Sequence, residues 1–206
     1  MEKQNKISKV SQKKMLKRNS LFNAAYELFL TKGIHDTAID DIVKKAGVGK
    51  GTFYLYFKNK YDIVDRLILN KSMKIIKEAV EYTSNRIEND NLEFSDSVIV
   101  FIDCIIERLR NNTKLLKFIY KNLSLGVYRR ATMDDENSEK IIRITKYFIS
   151  NMVGDDINED EAEKILFMIV ELTGSVCYSS IILNEPDSID NMKPILFKTI
   201  RKVLKN

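Results

Sequence analysis

The sequence has few of the residue types from which enzymes and metal proteins build their sites. Its 206 residues include one histidine, two cysteines, two prolines and seven glycines, and no tryptophan. The single histidine, His35, excludes a histidine-based catalytic or metal site, and Cys104 and Cys177 have no CxxC spacing. We therefore expect no enzyme activity, no cofactor and no metal, and two isolated cysteines fit the reducing cytoplasm.

Proline and glycine are also too rare to interrupt long regular segments, and 44% of the residues are hydrophobic. Abundant Ile, Leu, Lys and Glu favour helices, and no stretch alternates long enough to predict a strand. The sequence predicts an all-α protein of about nine helices, with Thr37, Asn59 and Ser95 as N-caps of the second, fourth and fifth. Apolar periodicity places the helices near 13–32, 37–46, 49–57, 60–85, 96–111, 113–128, 138–152, 160–184 and 189–205.

Charge divides the chain into two predicted domains. Residues 1–60 hold 13 Lys and Arg against 5 Asp and Glu, whereas residues 61–206 hold 21 against 24. A basic domain at 1–60, with a basic arm at 1–13, suggests a polyanion-binding end on a mildly acidic body at 61–206. The alternative is a solvated lysine-rich surface without a partner.

Two segments bear on whether the chain is exported or enters a membrane. The N-terminus is charged and has no apolar core, so it is not a secretory signal. Residues 165–183 are long and apolar enough to suggest a transmembrane helix, but Glu171 lies near the middle, where a carboxylate is costly in lipid. We expect this helix to be buried within protein on most sides, and we expect no membrane contact.

The stretch "AGVGKGTFYLYF", 46–57, resembles a phosphate-binding nucleotide loop at first sight. The P-loop pattern, however, puts Lys44 where its first glycine belongs and Gly51 where Ser or Thr must follow the lysine. The stretch also follows an amphipathic helix and not a buried strand. A helix, a glycine turn and a short helix instead match the helix-turn-helix, whose second helix enters the major groove of DNA. An ordinary helical hairpin is the alternative.

The second helix of this motif carries side chains suited to DNA. Phe53 and Phe57 are spaced i, i+4 and are expected to face inward, which leaves other residue types outside. Lys50 supplies charge and Gly51 permits close approach of the backbone. Thr52 and Tyr54 offer contacts to base edges and thymine methyl groups, and the Tyr56 hydroxyl suits a backbone phosphate.

The segment "TAIDDIVKKAGVGKGTFYLYFKNKYDIV", 37–64, resembles the DNA-binding signature of the tetracycline-repressor (TetR) family of bacterial regulators. The resemblance covers about residues 15–68, and one departure is Gly49, where the family often has Ser or Thr. By resemblance, Thr37 contacts the DNA backbone, and Tyr56 and Lys60 are phosphate clamps. The groove-facing positions are Lys50, Gly51, Thr52 and Tyr54.

The resemblance also implies that the body dimerises and holds an effector pocket. Helix 8, near 160–184, is apolar nearly all round, and helix 9, near 189–205, is amphipathic, so both are expected at a homodimer interface. The alternative is a monomeric bundle with helix 8 fully internal. Glu171 binds a ligand, pairs with a lysine across the dimer, or faces solvent. The candidate ligand-binding residues are Phe101, Phe118, Tyr128, Phe148, Phe167, Glu171 and Tyr178.

Together these features predict a sequence-specific DNA-binding transcriptional regulator in the cytoplasm. The leading hypothesis is a homodimeric repressor that binds a palindromic operator and is released by an unknown small-molecule effector. The alternative is a ligand-independent DNA-binding protein, architectural or associated with division, with the same DNA-binding domain.

Overall fold

The computed structural model describes residues 9–120, 136–154 and 156–204, and this part of the chain contains helices and no strand. The prediction of an all-α fold with an N-terminal helix-turn-helix and a helical body is confirmed. The α-helices are α1 (Lys9–Thr31), α2 (Ile39–Ala46), α3 (Lys50–Tyr54), α4 (Lys60–Asp90), α5 (Phe94–Arg110), α6 (Thr113–Tyr120), α7 (Glu136–Met152), α8 (Glu159–Tyr178) and α9 (Ile189–Leu204). A π-helical segment, Ser179–Leu183, continues α8.

Packing divides the chain into two compact units, Met1–Leu67 and Ile68–Asn206. We call them the N-terminal unit and the C-terminal unit. The division falls within α4, which begins at Lys60. The predicted domain boundary, between residues 60 and 61, lies at the start of that helix.

In the N-terminal unit, α1, α2 and α3 enclose an apolar core. Phe57 lies at its centre, with ring centroids 5.1 Å from Phe22 and 5.4 Å from Phe53. Because Phe53 and Phe57 are almost fully buried, the short α3 is held by its inward face. The buried apolar residues of this unit are Leu21, Ala24, Ala25, Leu28, Phe29, Ile42, Val43, Phe53, Phe57, Ile63, Val64 and Leu67.

One of the three predicted N-caps is confirmed and two are wrong. The Asn59 side chain accepts hydrogen bonds from the backbone N–H groups of Tyr61 and Asp62, at 2.8 and 3.0 Å, so it caps α4. The N-cap of α2 is Ala38 and not Thr37, and α5 begins one residue before Ser95. Both hydroxyl residues are buried, so packing determined their positions and overrode their preference for caps.

The C-terminal unit has its own core, in which α8 packs against α5, α6, α7 and α9. Fully buried side chains at its centre include Ile106, Leu116, Cys177 and Ile200. At the start of α8, Asn158 accepts from the Glu161 N–H and the Glu161 carboxylate accepts from the Asn158 N–H, both at 3.0 Å. This reciprocal capping box fixes the first turn of α8.

Charged side chains connect α9 to α5 along their length. Arg110 forms a bidentate pair with Asp190, with both N–O distances 2.8 Å, and the Lys193 ammonium lies 2.7 Å from Glu107. Arg201 pairs with a further carboxylate of α5. These contacts hold α9 in one orientation on the bundle.

Helix α8 differs from the prediction that protein buries it on most sides. Four apolar side chains on α8 and its π-helical end are exposed, namely Phe167, Met168, Leu172 and Leu183. On α9, Ile195 is 61% exposed. The segment Glu159–Leu183 is long and apolar enough to cross a membrane by length and composition, but a single such helix is weak evidence. The C-terminal unit therefore presents an uncovered apolar surface.

Candidate nucleic-acid interface

A left-handed glycine forms the turn between α2 and α3. Gly47 has φ +67° and ψ +34°, and the Val48 N–H donates to the Val43 carbonyl at 3.0 Å while the Gly47 N–H donates to Lys44. These two bonds form the Schellman motif, which ends a helix at a residue that glycine suits best. The prediction for this turn is confirmed, and the turn redirects the chain into α3.

Helix α3 presents its N-terminal residues to solvent. Gly49 precedes it without a side-chain cap, and Lys50, Gly51 and Tyr54 are exposed while Thr52 is half-buried. A methyl group added at Gly51 would meet no atom within 4 Å, and its φ is not in the left-handed region. Neither backbone conformation nor protein packing therefore requires glycine at position 51.

Lys50 is held by a carboxylate of the preceding helix. Its ammonium lies 2.8 Å from Asp40 Oδ1, and both side chains are more than half exposed. The hydrogen bond to Asp40 raises the pKa of Lys50 above its ordinary value, and a lysine is charged at neutral pH even without this shift. A charged group is thus positioned at the exposed start of α3.

Two predicted phosphate clamps make contacts inside the protein. The Tyr56 hydroxyl donates to the Lys14 carbonyl at 3.1 Å, and the Lys60 ammonium donates to the His35 carbonyl at 2.8 Å. A tyrosine hydroxyl has one proton, so Tyr56 must release Lys14 before it donates to a phosphate. Lys60 keeps two further donors, and its role as a clamp stays a prediction.

The Thr37 side chain is turned away from solvent. Thr37 is 1% exposed, and its hydroxyl donates to the Gly33 carbonyl at 2.7 Å. In this conformation Thr37 offers a phosphate neither its hydroxyl nor its own backbone, because the whole residue is buried. The hydroxyl instead stabilises the turn between α1 and α2.

Two exposed apolar residues beside α3 were not predicted from the sequence. Leu55 is 79% exposed and Tyr61 is 60% exposed, and the Lys60 ammonium lies 5.8 Å from the centre of the Tyr61 ring. Leu55 lies halfway between the inward-facing Phe53 and Phe57, a spacing that places it on the outer face of a helix. That spacing could have identified Leu55, whereas nothing in the sequence singles out Tyr61.

The candidate ligand-binding residues of the C-terminal unit do not form one group. Phe148 belongs to the core and Phe101 packs against it, and Phe118 is also buried. Tyr178 stacks on Tyr120, with ring centroids 4.3 Å apart. Tyr128 lies outside the described residues.

Phe167 and Glu171 lie on the exposed side of α8. Because both side chains are exposed, either one could line an enclosed ligand site only if a second molecule covered it. Within the described ranges, no group of three or more His, Cys, Asp or Glu residues is placed to hold a metal ion.

Residues 21–67 match the family described as bacterial regulatory proteins, tetR family. The match includes α2, α3 and the turn between them. Along the whole chain, the sequence is similar to the HTH-type transcriptional regulator YvdT of Bacillus subtilis. The two are 24% identical over 91% of this chain and 95% of YvdT.

Solved structures share the fold. A tetR-family transcription regulator from a Shewanella species aligns with a TM-score of 0.64 and 13% identity, over 91% of this chain and 97% of that one. The regulator FadR from Bacillus subtilis, solved in complex with stearoyl-CoA, aligns with a TM-score of 0.60 and 17% identity, over 90% and 98%. At these identities the likeness shows the fold alone.

Proposed function

From the premise that this chain is a DNA-binding transcriptional regulator of the TetR family, we propose that it is a homodimeric repressor. Its target is a palindromic operator, and a small-molecule effector releases it. The observation that carries the proposal is the exposed start of α3, which follows a tight turn and presents Lys50 and Tyr54 to solvent. It acts in the bacterial cytoplasm, where the operator lies.

In this proposal α3 enters the major groove. Lys50, Gly51, Thr52 and Tyr54 face the bases, because the opposite side of the helix is fixed in the core by Phe53. Tyr56, Lys60 and the exposed start of α2 beside Thr37 flank this helix and contact phosphates. Contacts to phosphate orient the protein on the duplex, whereas contacts to base edges select the sequence.

The apolar surface of α8 and α9 supports the dimer. Exposed Phe167, Met168 and Leu172 lie on α8, and Ile195 lies on α9. Large exposed apolar patches mark interaction sites, and a second copy of the chain covers this one in our proposal. Two recognition helices about 34 Å apart then read the two halves of a palindrome.

An effector in the C-terminal unit would act through α4, which begins in the N-terminal unit. A ligand releases DNA only if it prefers a conformation with a different spacing of the recognition helices. Stearoyl-CoA is bound in the related fold of FadR. Long-chain acyl-CoA is therefore the first effector class that we propose to test.

The proposal is tested by gel-shift titration with duplexes from the region upstream of the protein's own gene. We expect a complex of two protomers on a palindromic sequence, and its release by an effector. Stearoyl-CoA is the first compound in the titration, with CoA alone as the control. Failure to bind any duplex at low salt would refute the DNA-binding function, and binding by a single protomer would refute the dimer.

A DNA complex that no effector releases would instead favour the ligand-independent architectural protein. The dimer surface has its own test, in which Phe167→Glu is compared with Tyr82→Glu in sedimentation experiments. Both side chains are exposed, at 40% and 47%, but Tyr82 lies on α4. We expect only the Phe167 variant to produce monomers.

A further inference from the structure

The contact between Lys50 and Asp40 bears on how the protein distinguishes its preferred DNA sequence from other sequences. We propose that Asp40 is a specificity-determining residue, which positions the Lys50 ammonium to contact base edges and disfavours its contact with phosphates. The inference rests on the proposed function, because it assumes that α3 enters the major groove. The pair joins the first turn of α2 to the first residue of α3, with 2.8 Å between Nζ and Oδ1.

A restraint on Lys50 matters because its side chain is more than half exposed. Gly49 and Gly51 on either side of it have no side chains, and on α3 only residues three or four positions further on, such as Tyr54, can lie beside its four-carbon stem. A lysine side chain has many rotamers, and ordering it on the DNA costs entropy. Asp40 restricts these rotamers before DNA arrives.

The donor count favours bases over phosphates. An ammonium has three N–H donors, so one bond to Asp40 leaves two for the O6 and N7 acceptors of guanine. A phosphate bound to the Lys50 ammonium would lie beside the Asp40 carboxylate, and the two negative charges would repel each other. Lys50 must therefore leave Asp40 to neutralise a phosphate fully, whereas it need not leave Asp40 to contact guanine.

The neighbouring carboxylate, that of Asp41, has different partners. Asp41 Oδ2 lies 3.3 Å from the Lys32 ammonium and accepts from the Ala38 N–H at 3.3 Å. The bond to Ala38, followed by the contact with Lys32, lowers the pKa of Asp41. Of the two acidic residues in the first turn of α2, Asp41 thus caps its own helix and pairs with Lys32, just beyond α1, whereas Asp40 pairs with Lys50 of α3.

The experiment first selects a preferred duplex from a random library with the wild-type protein. Affinities for this duplex and for a mixed-sequence duplex of equal length are then measured by fluorescence anisotropy at several salt concentrations. Asp40→Asn is compared with Asp36→Asn, which removes the same charge from an exposed residue near His35. Thermal unfolding verifies that both variants are folded.

We expect Asp40→Asn to lower the ratio of specific to non-specific affinity by about 1.4- to fivefold, the range for an exposed ion pair. Asp36→Asn should leave the ratio unchanged. In a Lys50→Ala background, Asp40→Asn should have no further effect on the ratio, because Asp40 acts through Lys50.

Equal ratios for the two single variants, or a full effect of Asp40→Asn without Lys50, would overturn the inference while the proposed function stands. A wild-type protein that selects no sequence would remove the proposed function itself, and the inference with it.

Discussion

Replacing Gly51 by alanine should change stability and DNA affinity in opposite directions. Gly51 is the second residue of α3, and a Cβ there meets no protein atom within 4 Å. Alanine is favoured over glycine in helices by about 0.5–1 kcal/mol. We therefore expect the free energy of unfolding to rise by up to about 1 kcal/mol, and the melting temperature by about 1–4 °C.

The same methyl group should weaken DNA binding if the backbone at Gly51 lies against the duplex. Forcing a methyl group into a packed contact costs about 1–3 kcal/mol, which corresponds to roughly a five- to 150-fold rise in Kd. Calorimetry or urea titration measures the first effect, and fluorescence anisotropy with the selected duplex measures the second.

Gly154→Ala is the matched control. A Cβ at Gly154 likewise meets nothing within 4 Å, and Gly154 lies in the C-terminal unit. The control should leave the affinity for DNA unchanged. If Gly51→Ala binds the selected duplex as tightly as the wild type, the backbone of α3 does not approach DNA at this position and the reasoning fails.

Three further variants test the surroundings of the site, and a thiol reagent tests the core of the C-terminal unit. Phe53→Ala removes a fully buried side chain and should lower the free energy of unfolding by about 3–5 kcal/mol in urea titrations. Tyr54→Ala should lower it by less than about 0.5 kcal/mol yet weaken DNA binding. Equal losses of stability in these two variants would contradict this assignment of the inward and outward faces. Gly47→Ala should cost about 1–2 kcal/mol, because φ is +67°, and an unchanged melting temperature would disprove the strain. Burial raises the pKa of the Cys177 thiol from 9.0 to about 12, so a thiol reagent at pH 8 should modify it only after unfolding. Since the folded state keeps a proton that the unfolded state loses above pH 9, the contribution of Cys177 to stability should fall between pH 9 and about 12. Cys104 is only partly buried, so rapid labelling at Cys177 itself in the native protein would refute the burial.

The helices were predictable because their apolar spacing is strong. The inward spacing of Phe53 and Phe57 located α3, although the helix ends at Tyr54, before the predicted end at residue 57, and the turn needed only Gly47. The caps at Thr37 and Ser95 were mispredicted for a shared reason. Both hydroxyl residues have high capping propensity, but both are buried, and propensity gives way to tertiary packing.

The contacts of the candidate interface were less predictable than its position. The pairing of Lys50 with Asp40 joins two helices whose relative orientation depends on the turn, so sequence spacing alone does not reveal it. The hydrogen bond from Tyr56 to Lys14 spans even more of the chain. How much of α8 its own chain leaves uncovered was not predictable, because the residues of an apolar helix do not indicate whether its own chain or a partner covers it.

The central claim is that α3 and its flanking residues bind DNA. Its most direct test is the affinity of the wild-type protein for the selected palindromic duplex as a function of salt. If these residues bind DNA, log K should fall linearly and steeply with log salt, with a slope of about −0.9 for each phosphate neutralised, and two protomers should bind each duplex. Absence of binding at low salt, or a slope near zero, would contradict it.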